Sequence, residues 1–450
     1  MAADTIDFKA YLQMAIDFFA GPELIRKARK GMRKVCGLTF PFPDLIMAGG
    51  AVPAFIPRLN KGPKYNLIKT ALSARNLLGM GTLARGLSFL KQIDSTGTVL
   101  DIAGSVINDI ILELNETYES AVKEGVDLGM PNDHCYGAKA LFGLYKRLGN
   151  LLDFNLGINI RCSVFFAYHE ALTINRFVDN NFIMDMPYDP SSTALEFMME
   201  EIESFIEFQE KITGKRFSIE KFYDVLSLSN RVKELMKVIY FEIAPGDMIP
   251  CSPATFSELQ SLLVYSHIDY NSRLKRYVEN LEALVQEMHD RIDQPRKRFD
   301  ASDHLKIIYT PMFGGFEPEI ASFADEMNAR IYYPDWAIYG VYEPVKLKGN
   351  LIRNYAEHLM HFQHGIGLSN EEMVNNIIQV GEEMNADGII FTEVFGCRSM
   401  CTGHRLLRDI LRRKDTSTIP VNVITFENMG NSIESIKTRF SAFLEMIRAE

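Results

Sequence analysis

The last third of the chain alternates short apolar segments with longer amphipathic ones, and this alternation constrains the fold more than any other sequence feature. β-Branched and aromatic residues are concentrated in four segments: "LKIIYTP" at 305–311, "ARIYYPDW" at 329–336, "GIIFTEVF" at 388–395 and "VNVITFEN" at 421–428. Strands that alternate with helices form a parallel sheet covered by helices. The sequence therefore predicts a C-terminal α/β domain.

A weaker form of the same pattern comes earlier in the chain. Strands are predicted for "LDFNLGINI" at 152–160 and "FIMDMP" at 182–187. We therefore expect an α/β fold in which two flavodoxin- or Rossmann-like parallel-sheet domains are joined by a helical region. The expected limits are residues 1–190 for the N-terminal α/β domain with its leading helices, 191–303 for the helical region and 304–450 for the C-terminal α/β domain.

The predicted helical region contains three helices. A capping box, Thr193-x-x-Glu196, and a stop at Gly214 bound the first one. The second begins near Ser218, and the third follows a box that starts at Thr255 and extends through "LVQEMHDRI". The polar segment "DQPRKRFDASD" then connects this region to the C-terminal domain.

Composition and charge exclude several classes of protein. Hydrophobic residues make up 47% of the 450 residues and charged residues 24%, which is typical of a folded globular chain. The net charge of −10 argues against nucleic acid as a partner, since phosphate binding depends on Lys and Arg clusters. The first residues lack a secretory signal pattern and no apolar run reaches membrane-spanning length. We expect a cytoplasmic protein without membrane contact.

Six cysteines carry the most specific chemical signal: Cys36, Cys135, Cys162, Cys251, Cys397 and Cys401. In a large intracellular chain, metal binding or catalysis is the commoner use of such thiols, because disulfides are rare there. Cys162 follows the predicted strand that ends at Ile160, and Cys397 follows the one that ends at Phe395. Ligands of open α/β sheets bind at the carboxyl ends of strands, so these thiols are candidates for one cleft, with Cys135 as a third.

The spacing of these three thiols favours one metal group over another. Structural zinc is bound by close pairs such as C-x₂-C, which Cys135, Cys162 and Cys397 do not form. Three thiolates suit an iron–sulfur cluster and leave one iron open to a substrate oxygen or water. Two alternatives remain: thiols that are merely packed in the core, and a zinc site that includes Cys397-x₃-Cys401-x₂-His404.

Two nucleotide-binding patterns are not supported. The segment "GMGTLA" at 79–84 has dinucleotide-motif spacing but follows a helical pattern rather than a strand. No G-x₄-G-K-[ST] loop is present in the sequence. The chain is therefore not expected to bind ATP through a P-loop.

The sequence resembles the family of (R)-2-hydroxyacyl-CoA dehydratase subunits, which includes the catalytic subunits of ATP-dependent benzoyl-CoA reductase. The likeness is carried by four segments: "DHCYGAKAL", "LGINIRCSVFFAYHEAL", "ADGIIFTEVFGCRSMCTGHRLL" and "IPVNVITFENMGNSIESIKTRFSAFLEMI". In the third, Gly396, Cys397 and Gly403 occupy the family's positions, and Arg439 matches in the last. The chain has Asn-Met-Gly at 428–430 where the family has Asp-Pro-Arg.

The resemblance implies a cofactor, an activity and partners. It implies that Cys135, Cys162 and Cys397 bind a [4Fe–4S] cluster. It also implies a lyase that dehydrates a 2-hydroxyacyl-CoA by one-electron, ketyl-radical chemistry. The electron would come from a separate ATP-dependent iron–sulfur activator protein, and the chain would pair with a homologous second subunit.

Alternatives within and outside the family stay open. One is the equivalent subunit of a benzoyl-CoA-type reductase. Another is a double-cubane-cluster reductase, which would also use Cys36, Cys251 and Cys401. A non-catalytic electron-transfer or scaffold subunit and a zinc-stabilised binding protein belong to different classes, and iron and sulfide content separates all of these.

Acid–base candidates flank two of the thiols. His134 and Glu170 are the expected catalytic residues, with Asp133 and His169 beside them. The simpler interpretation is that Asp133 caps the helix near Cys135 and that His169 and Glu170 lie on a solvated helix face. For Lys139, a surface charge and a contact to the cluster or to CoA phosphate are equally compatible with the sequence.

Overall fold

The computed structural model contains two four-stranded parallel sheets separated by a helical region. It describes the chain over 8–60, 117–160, 162–187, 191–311, 318–363, 366, 370–394, 396–397, 403–413, 419–426 and 433–449. Both sheets are fully parallel, as the strand–helix alternation predicts. The predicted α/β class with two parallel-sheet domains is confirmed.

The N-terminal sheet has the spatial order β2-β1-β3-β4. Its strands are β1 (Val35–Leu38), β2 (Val52–Phe55), β3 (Phe154–Asn159) and β4 (Asn181–Asp185). Sequence patterns predicted the last two but not the first two. Each of β1 and β2 has only four residues and is buried throughout, so neither shows the polar–apolar alternation that identifies a strand.

The C-terminal sheet has the order β10-β9-β7-β8. A two-residue antiparallel pair, β5 (Met248–Ile249) with β6 (Phe299–Asp300), precedes it. The four strands of the C-terminal sheet lie within the four predicted segments: β7 (Leu305–Thr310), β8 (Ala329–Tyr332), β9 (Gly388–Val394) and β10 (Val421–Phe426). In both sheets the first strand in sequence lies between the second and the third. Chain direction along the sheet reverses at that point, where α/β proteins form their ligand crevice.

Helices precede, separate and cover the sheets. Those of the N-terminal part are α1 (Lys9–Phe19), α2 (Gly21–Lys30), α3 (Asp44–Ala48), α4 (Tyr136–Leu148) and α5 (Ser163–Asn175). The helical region contains α6 (Ser192–Thr213), α7 (Ile219–Lys237), α8 (Pro253–His267) and α9 (Leu274–Ile292). The C-terminal part contains α10 (Pro318–Glu326), α11 (Asp335–Ile338), α12 (Leu351–Gln363), α13 (Asn370–Glu383), α14 (Gly403–Arg413) and α15 (Ile433–Ala449).

The predicted helix ends need two corrections. Ser191, not Thr193, caps α6 by accepting a hydrogen bond from the Ala194 N–H, whereas Gly214 ends it with φ 67° as predicted. The third predicted helix is two helices, because the chain turns through Tyr270–Ser272, where Asn271 has φ 52°.

The leading helices pack against the helical region. The Ala10 backbone N–H donates to Glu287 of α9 at 2.9 Å, and the Arg291 guanidinium lies over the Phe8 ring. One cluster of buried apolar side chains continues from the N-terminal sheet through the helical region into the C-terminal sheet. Within the described residues, no helix combines the length and apolarity needed to cross a membrane.

Candidate functional site

Each of the three candidate thiols lies at a defined point of the two sheets. Cys162 follows β3 and is the N-cap residue of α5, and Cys397 follows β9. Cys135 is the N-cap residue of α4, the helix that leads into β3. α4 packs against α5, so two of the thiols lie at the N-termini of neighbouring helices. The positive end of a helix dipole favours a thiolate.

The three thiols line the same cavity of about 180 Å³. Its other described lining residues are Thr39, Phe40, Phe55, Tyr118, Tyr136, Gly137, Leu141, Ile160, Phe165, Val264, Tyr265, Ile268, Asp335, Trp336, Ile366 and Val394. Both sheets and α8 contribute to this list. The cavity is therefore a shared crevice at the carboxyl ends of the strands, the position that α/β topology predicts.

Close backbone packing brings the loop of Cys397 against the loop of Cys135. Gly396 has φ +79°, and a Cβ placed on it would lie 2.5 Å from the Asp133 carbonyl oxygen and 2.9 Å from the Cys135 nitrogen. Only glycine satisfies both the backbone conformation and this approach. Segments from distant parts of the sequence thus meet at the cavity.

Burial dominates the electrostatics of Cys135. It raises the pKa of this thiol, the backbone N–H of Ala138 opposes that increase, and nearby Cys162 adds to it. Lys139 and the Gly137 N–H oppose it more weakly. Burial thus favours the neutral thiol of Cys135, and a bound metal cation would favour the thiolate.

Lys139 is not a surface charge. Its side chain is buried and Nζ donates to the Asn132 carbonyl oxygen at 3.0 Å. This contact ties α4 to the loop that carries Cys135. Asp133 is exposed and does not cap α4, since that helix starts without a side-chain cap at Cys135.

The acid–base candidates have different environments. His134 is half-buried beside Cys135, and among the described residues its Nδ1 has no hydrogen-bond partner. Glu170 lies on the exposed face of α5 and is not a lining residue of the cavity. His169 is fully buried against Gly157, and burial lowers its pKa to about 4. The solvated-face interpretation is thus correct for Glu170 and wrong for His169.

The other described cysteines lie away from the cavity. Cys36 lies in β1, where burial raises its pKa, and Cys251 is buried in the main apolar core. Neither is a lining residue. Cys401, the segment at 79–84 and the turn at 428–430 lie outside the described residues, so the zinc alternative is not tested there.

The three cavity thiols, Cys135, Cys162 and Cys397, suit an iron–sulfur cluster better than a single metal ion. No set of three His, Cys, Asp or Glu side chains in the described part of the chain is close enough to bind a single metal ion. In an iron–sulfur cluster each thiolate binds a different iron, so the ligands surround a larger core. Three soft thiol donors on a largely apolar cavity fit such a cluster.

Sequence reasoning missed several lining residues. Tyr136 directly follows Cys135, and its buried hydroxyl has no hydrogen-bond partner among the described residues. Asp335 and Trp336 follow β8, so their strand-end position was a usable signal. Phe55 and Tyr265 lie in elements whose sequences give no sign of a site.

The fold and the cavity define a class: a two-sheet parallel α/β protein with three thiols at strand ends and helix N-termini. A family model described as "2-hydroxyglutaryl-CoA dehydratase, D-component" matches residues 97–447. The chain belongs to this family. It is also 26% identical over 244 residues to the (R)-2-hydroxyisocaproyl-CoA dehydratase alpha subunit of Clostridioides difficile. That match covers 50% of this chain and 56% of the relative, or about half the length of each.

Proposed function

We propose that the chain is the catalytic iron–sulfur subunit of an (R)-2-hydroxyacyl-CoA dehydratase. The observation that carries this proposal is the single cavity lined by Cys135, Cys162 and Cys397 at the carboxyl ends of parallel strands. Family membership supports the reaction class. The matched relative is named as a dehydratase alpha subunit, which supports the presence of a second subunit.

Cys135, Cys162 and Cys397 would hold a [4Fe–4S] cluster through their thiolates. When bound, such a cluster would supply one-electron transfer and an iron open to a substrate oxygen or water. The protein supplies the remaining conditions. Phe40, Phe165 and other apolar lining residues would limit the access of water to the reacting group.

The chain must also hold the substrate and move a proton. The Tyr136 hydroxyl can donate to a neutral oxygen of the acyl group, because it is buried in the cavity wall without a protein partner among the described residues. Neither His134 nor Glu170 is a described lining residue of the cavity. His134 directly precedes Cys135 and its buried Nδ1 has no hydrogen-bond partner in the described part of the chain, which supports it over the exposed Glu170 as the acid–base residue. A catalytic role for Glu170 remains a prediction.

The proposed reaction needs ATP hydrolysis and a substrate, and both would come from partners of the chain. The sequence has no P-loop, so ATP hydrolysis would be carried out by a separate iron–sulfur activator. A homologous second subunit and an acyl-CoA substrate complete the proposed system. Cys36 and Cys251 lie apart from the cavity, which favours one cluster rather than a double one.

Anaerobic co-purification with the partner subunit tests the proposal. We expect about four iron and four sulfide per cluster-binding site, and conversion of a 2-hydroxyacyl-CoA to the 2-enoyl-CoA when activator and ATP are added. Zinc without iron would exclude the cluster. Full iron content with ring reduction instead of dehydration would favour the reductase alternative.

A further inference from the structure

Four buried residues that can carry a charge lie where the helical region contacts both sheet domains. Asp44 lies on α3, Lys233 on α7, His267 at the end of α8 and His358 on α12, and each is at most 7% exposed. α7 packs directly against α3 and α12. We call these four residues the junction cluster, because they come from the N-terminal, helical and C-terminal parts of the chain.

The geometry of the junction cluster suits neutral histidines. The Lys233 Nζ lies 3.1 Å from the His358 Nε2, and an ammonium can donate only to a ring nitrogen that carries no proton. His267 is fully buried, and neither of its ring nitrogens has a hydrogen-bond partner among the described residues. Asp44 accepts a hydrogen bond from the Tyr355 hydroxyl at 3.2 Å. A proton added to either imidazole would place a second positive charge near Lys233, with Asp44 as the one carboxylate of the cluster.

Other titratable groups around the junction cluster do not balance that charge. Glu343 and Lys237 form a surface ion pair at 2.6 Å and act in opposite directions on the protonation of Lys233. His361 lies on the same helix as His358 and also disfavours its protonation. The phenols that contact the two imidazoles are neutral, since burial raises their pKa: Tyr270, Tyr342 and Tyr355.

The junction cluster is connected to the cavity wall by aromatic packing. The His358 ring packs edge-on against Phe42, with centroids 6.0 Å apart. Phe362 of α12 contacts both Phe42 and Phe40, at 4.7 and 5.8 Å between centroids, and Phe40 lines the cavity. Because such contacts are close-packed, a shift of α12 relative to α3 would also move the Phe40 side of the cavity wall.

We propose that the junction cluster is an acid-sensitive switch, in which protonation of His267 and His358 at mildly acidic pH loosens the contacts among α3, α7 and α12 and the cavity wall beside them. An imidazolium needs water or an anionic acceptor, and Asp44 already balances the Lys233 ammonium. This switch goes beyond the proposed dehydratase function and does not depend on it.

The two histidines set the direction of the pH effect. In the closed junction, burial lowers the pKa of His267 to about 3, and burial together with Lys233 lowers that of His358 well below 6.5. In a loosened junction both imidazoles would contact water and titrate near their ordinary pKa of about 6.5. Below that pH the loosened form binds more protons, so each histidine favours it by up to about tenfold per pH unit.

The other two residues of the junction cluster do not reverse this direction. Burial raises the pKa of Asp44, so the closed form keeps this proton to a higher pH, and one carboxylate offsets at most one of the two imidazoles. Burial lowers the pKa of Lys233 to about 8, which leaves its amine largely charged in both forms between pH 5 and pH 7.5. Acidification below pH 6.5 should therefore loosen the junction.

Hydrogen exchange of the full chain, measured by mass spectrometry, tests the proposal. After correction for the intrinsic pH dependence of exchange, peptides that contain α3 and α12 should lose protection by at least about tenfold between pH 7.5 and pH 5. Peptides of α15, which carries no residue of the junction cluster, should keep their protection. Equal protection of α12 at the two pH values, or an equal loss in α15, would overturn the proposal.

Variants identify the groups that carry the effect. The double variant His267→Phe with His358→Gln keeps a ring at the first position and a hydrogen-bond acceptor for Lys233 at the second, and it should lose no protection between pH 7.5 and pH 5. His289→Gln, at an exposed position of α9, is the control and should behave as wild type. A tenfold loss in the double variant would contradict the proposal. If the double variant does not fold, His358→Gln decides: its loss should be at least about threefold smaller than that of wild type, and an unchanged loss counts against the switch.

Discussion

Cys135 illustrates how much a single residue's meaning depends on its surroundings. In the sequence it stands without a nearby cysteine, a pattern equally typical of a packed thiol. In the fold it is the N-cap residue of α4 and shares a cavity with Cys162 and Cys397. Cys251 is buried to a similar extent, but in the apolar core.

Replacing Cys135 with Ser should remove a soft ligand from the cavity. We expect Cys135→Ser to lower the iron content of the anaerobic complex and to abolish activator-dependent turnover. Cys251→Ser is the matched control, since it should cost only packing energy, roughly 0.5–3 kcal/mol. Full iron and activity in Cys135→Ser, with loss of both in Cys251→Ser, would show that the ligand assignment is wrong.

Glu258 gives the helical region a pH-dependent stability. Its carboxyl group is buried in α8, where burial raises its pKa from 4.5 to about 7, although the Tyr11 hydroxyl donates to it at 3.0 Å. Between these two pKa values the folded protein retains a proton that the unfolded chain has released. The free energy of unfolding should therefore be highest below pH 4.5 for this group and should fall as pH rises through 7.

The variant Glu258→Gln should remove this dependence. A shift of this size corresponds to about 3 kcal/mol at most, so wild type should lose up to that amount between about pH 5 and pH 8, and the variant clearly less. Urea unfolding at the two pH values measures the difference. Glu207→Gln, on the exposed face of α6, should follow wild type. A variant with the wild-type pH dependence would contradict the role of Glu258.

At the scale of elements, the loop after β9 depends on a glycine. Gly396 combines a positive φ with contact to the Asp133 and Cys135 backbones, which cannot move aside as a side chain could. Gly214, the end of α6, also has a positive φ, but a Cβ added there would meet no described atom of another segment within 4 Å. A substitution at Gly214 therefore introduces backbone strain alone, whereas one at Gly396 introduces backbone strain and a steric clash with the Asp133 and Cys135 backbones.

The substitution Gly396→Ala should separate the loops of Cys397 and Cys135. We expect it to reduce iron content and to lower the free energy of unfolding by more than the roughly 1–2 kcal/mol of backbone strain alone. Gly214→Ala should show that strain alone and keep full iron. Equal losses of iron in the two variants would show that close approach at Gly396 is unimportant.

In the helical region, the sequence predicted where helices begin and end better than it predicted how many helices there are. α7 begins next to Ser218 as predicted, and the structure adds that the Ser218 hydroxyl caps it by accepting a hydrogen bond from the Lys221 N–H. The break between α8 and α9 lies at Tyr270–Ser272, where all three residues have positive φ, and Asp269 beside it binds Arg58 and the Phe55 N–H. The sequence there has no Gly or Pro, but Asp269, Asn271 and Ser272 favour a turn, a local signal that the prediction of one continuous helix missed.

For the whole molecule, the Arg58–Asp269 pair joins three parts of the fold. Arg58 follows β2, donates to the carbonyls of Asp17 and Phe18 in α1, and pairs with Asp269 after α8. Burial raises the pKa of Asp269, while Arg58 opposes that effect. The N-terminal sheet, the leading helices and the helical region are therefore linked through one buried guanidinium.

Removing one partner should leave a buried charge without compensation. We expect Asp269→Ala to lower the free energy of unfolding by about 3–5 kcal/mol. Glu343→Ala removes the partner of Lys237 in a surface ion pair and should cost at most about 1 kcal/mol. Denaturant unfolding measures both. Similar small losses would mean that the buried pair does not stabilise the assembly of these parts.

Three features were accessible from sequence: the strands of the C-terminal sheet, the start of α7 near Ser218, and the shared location of Cys135, Cys162 and Cys397. They depend on local propensity and on motifs of a few residues. The four-residue strands β1 and β2 were not accessible, since full burial erases their alternation. Nor were the positions of Phe55 and Tyr265 in the cavity wall and the contact at Gly396. Those features depend on backbone and side-chain packing between segments that are far apart in sequence, which no local pattern encodes.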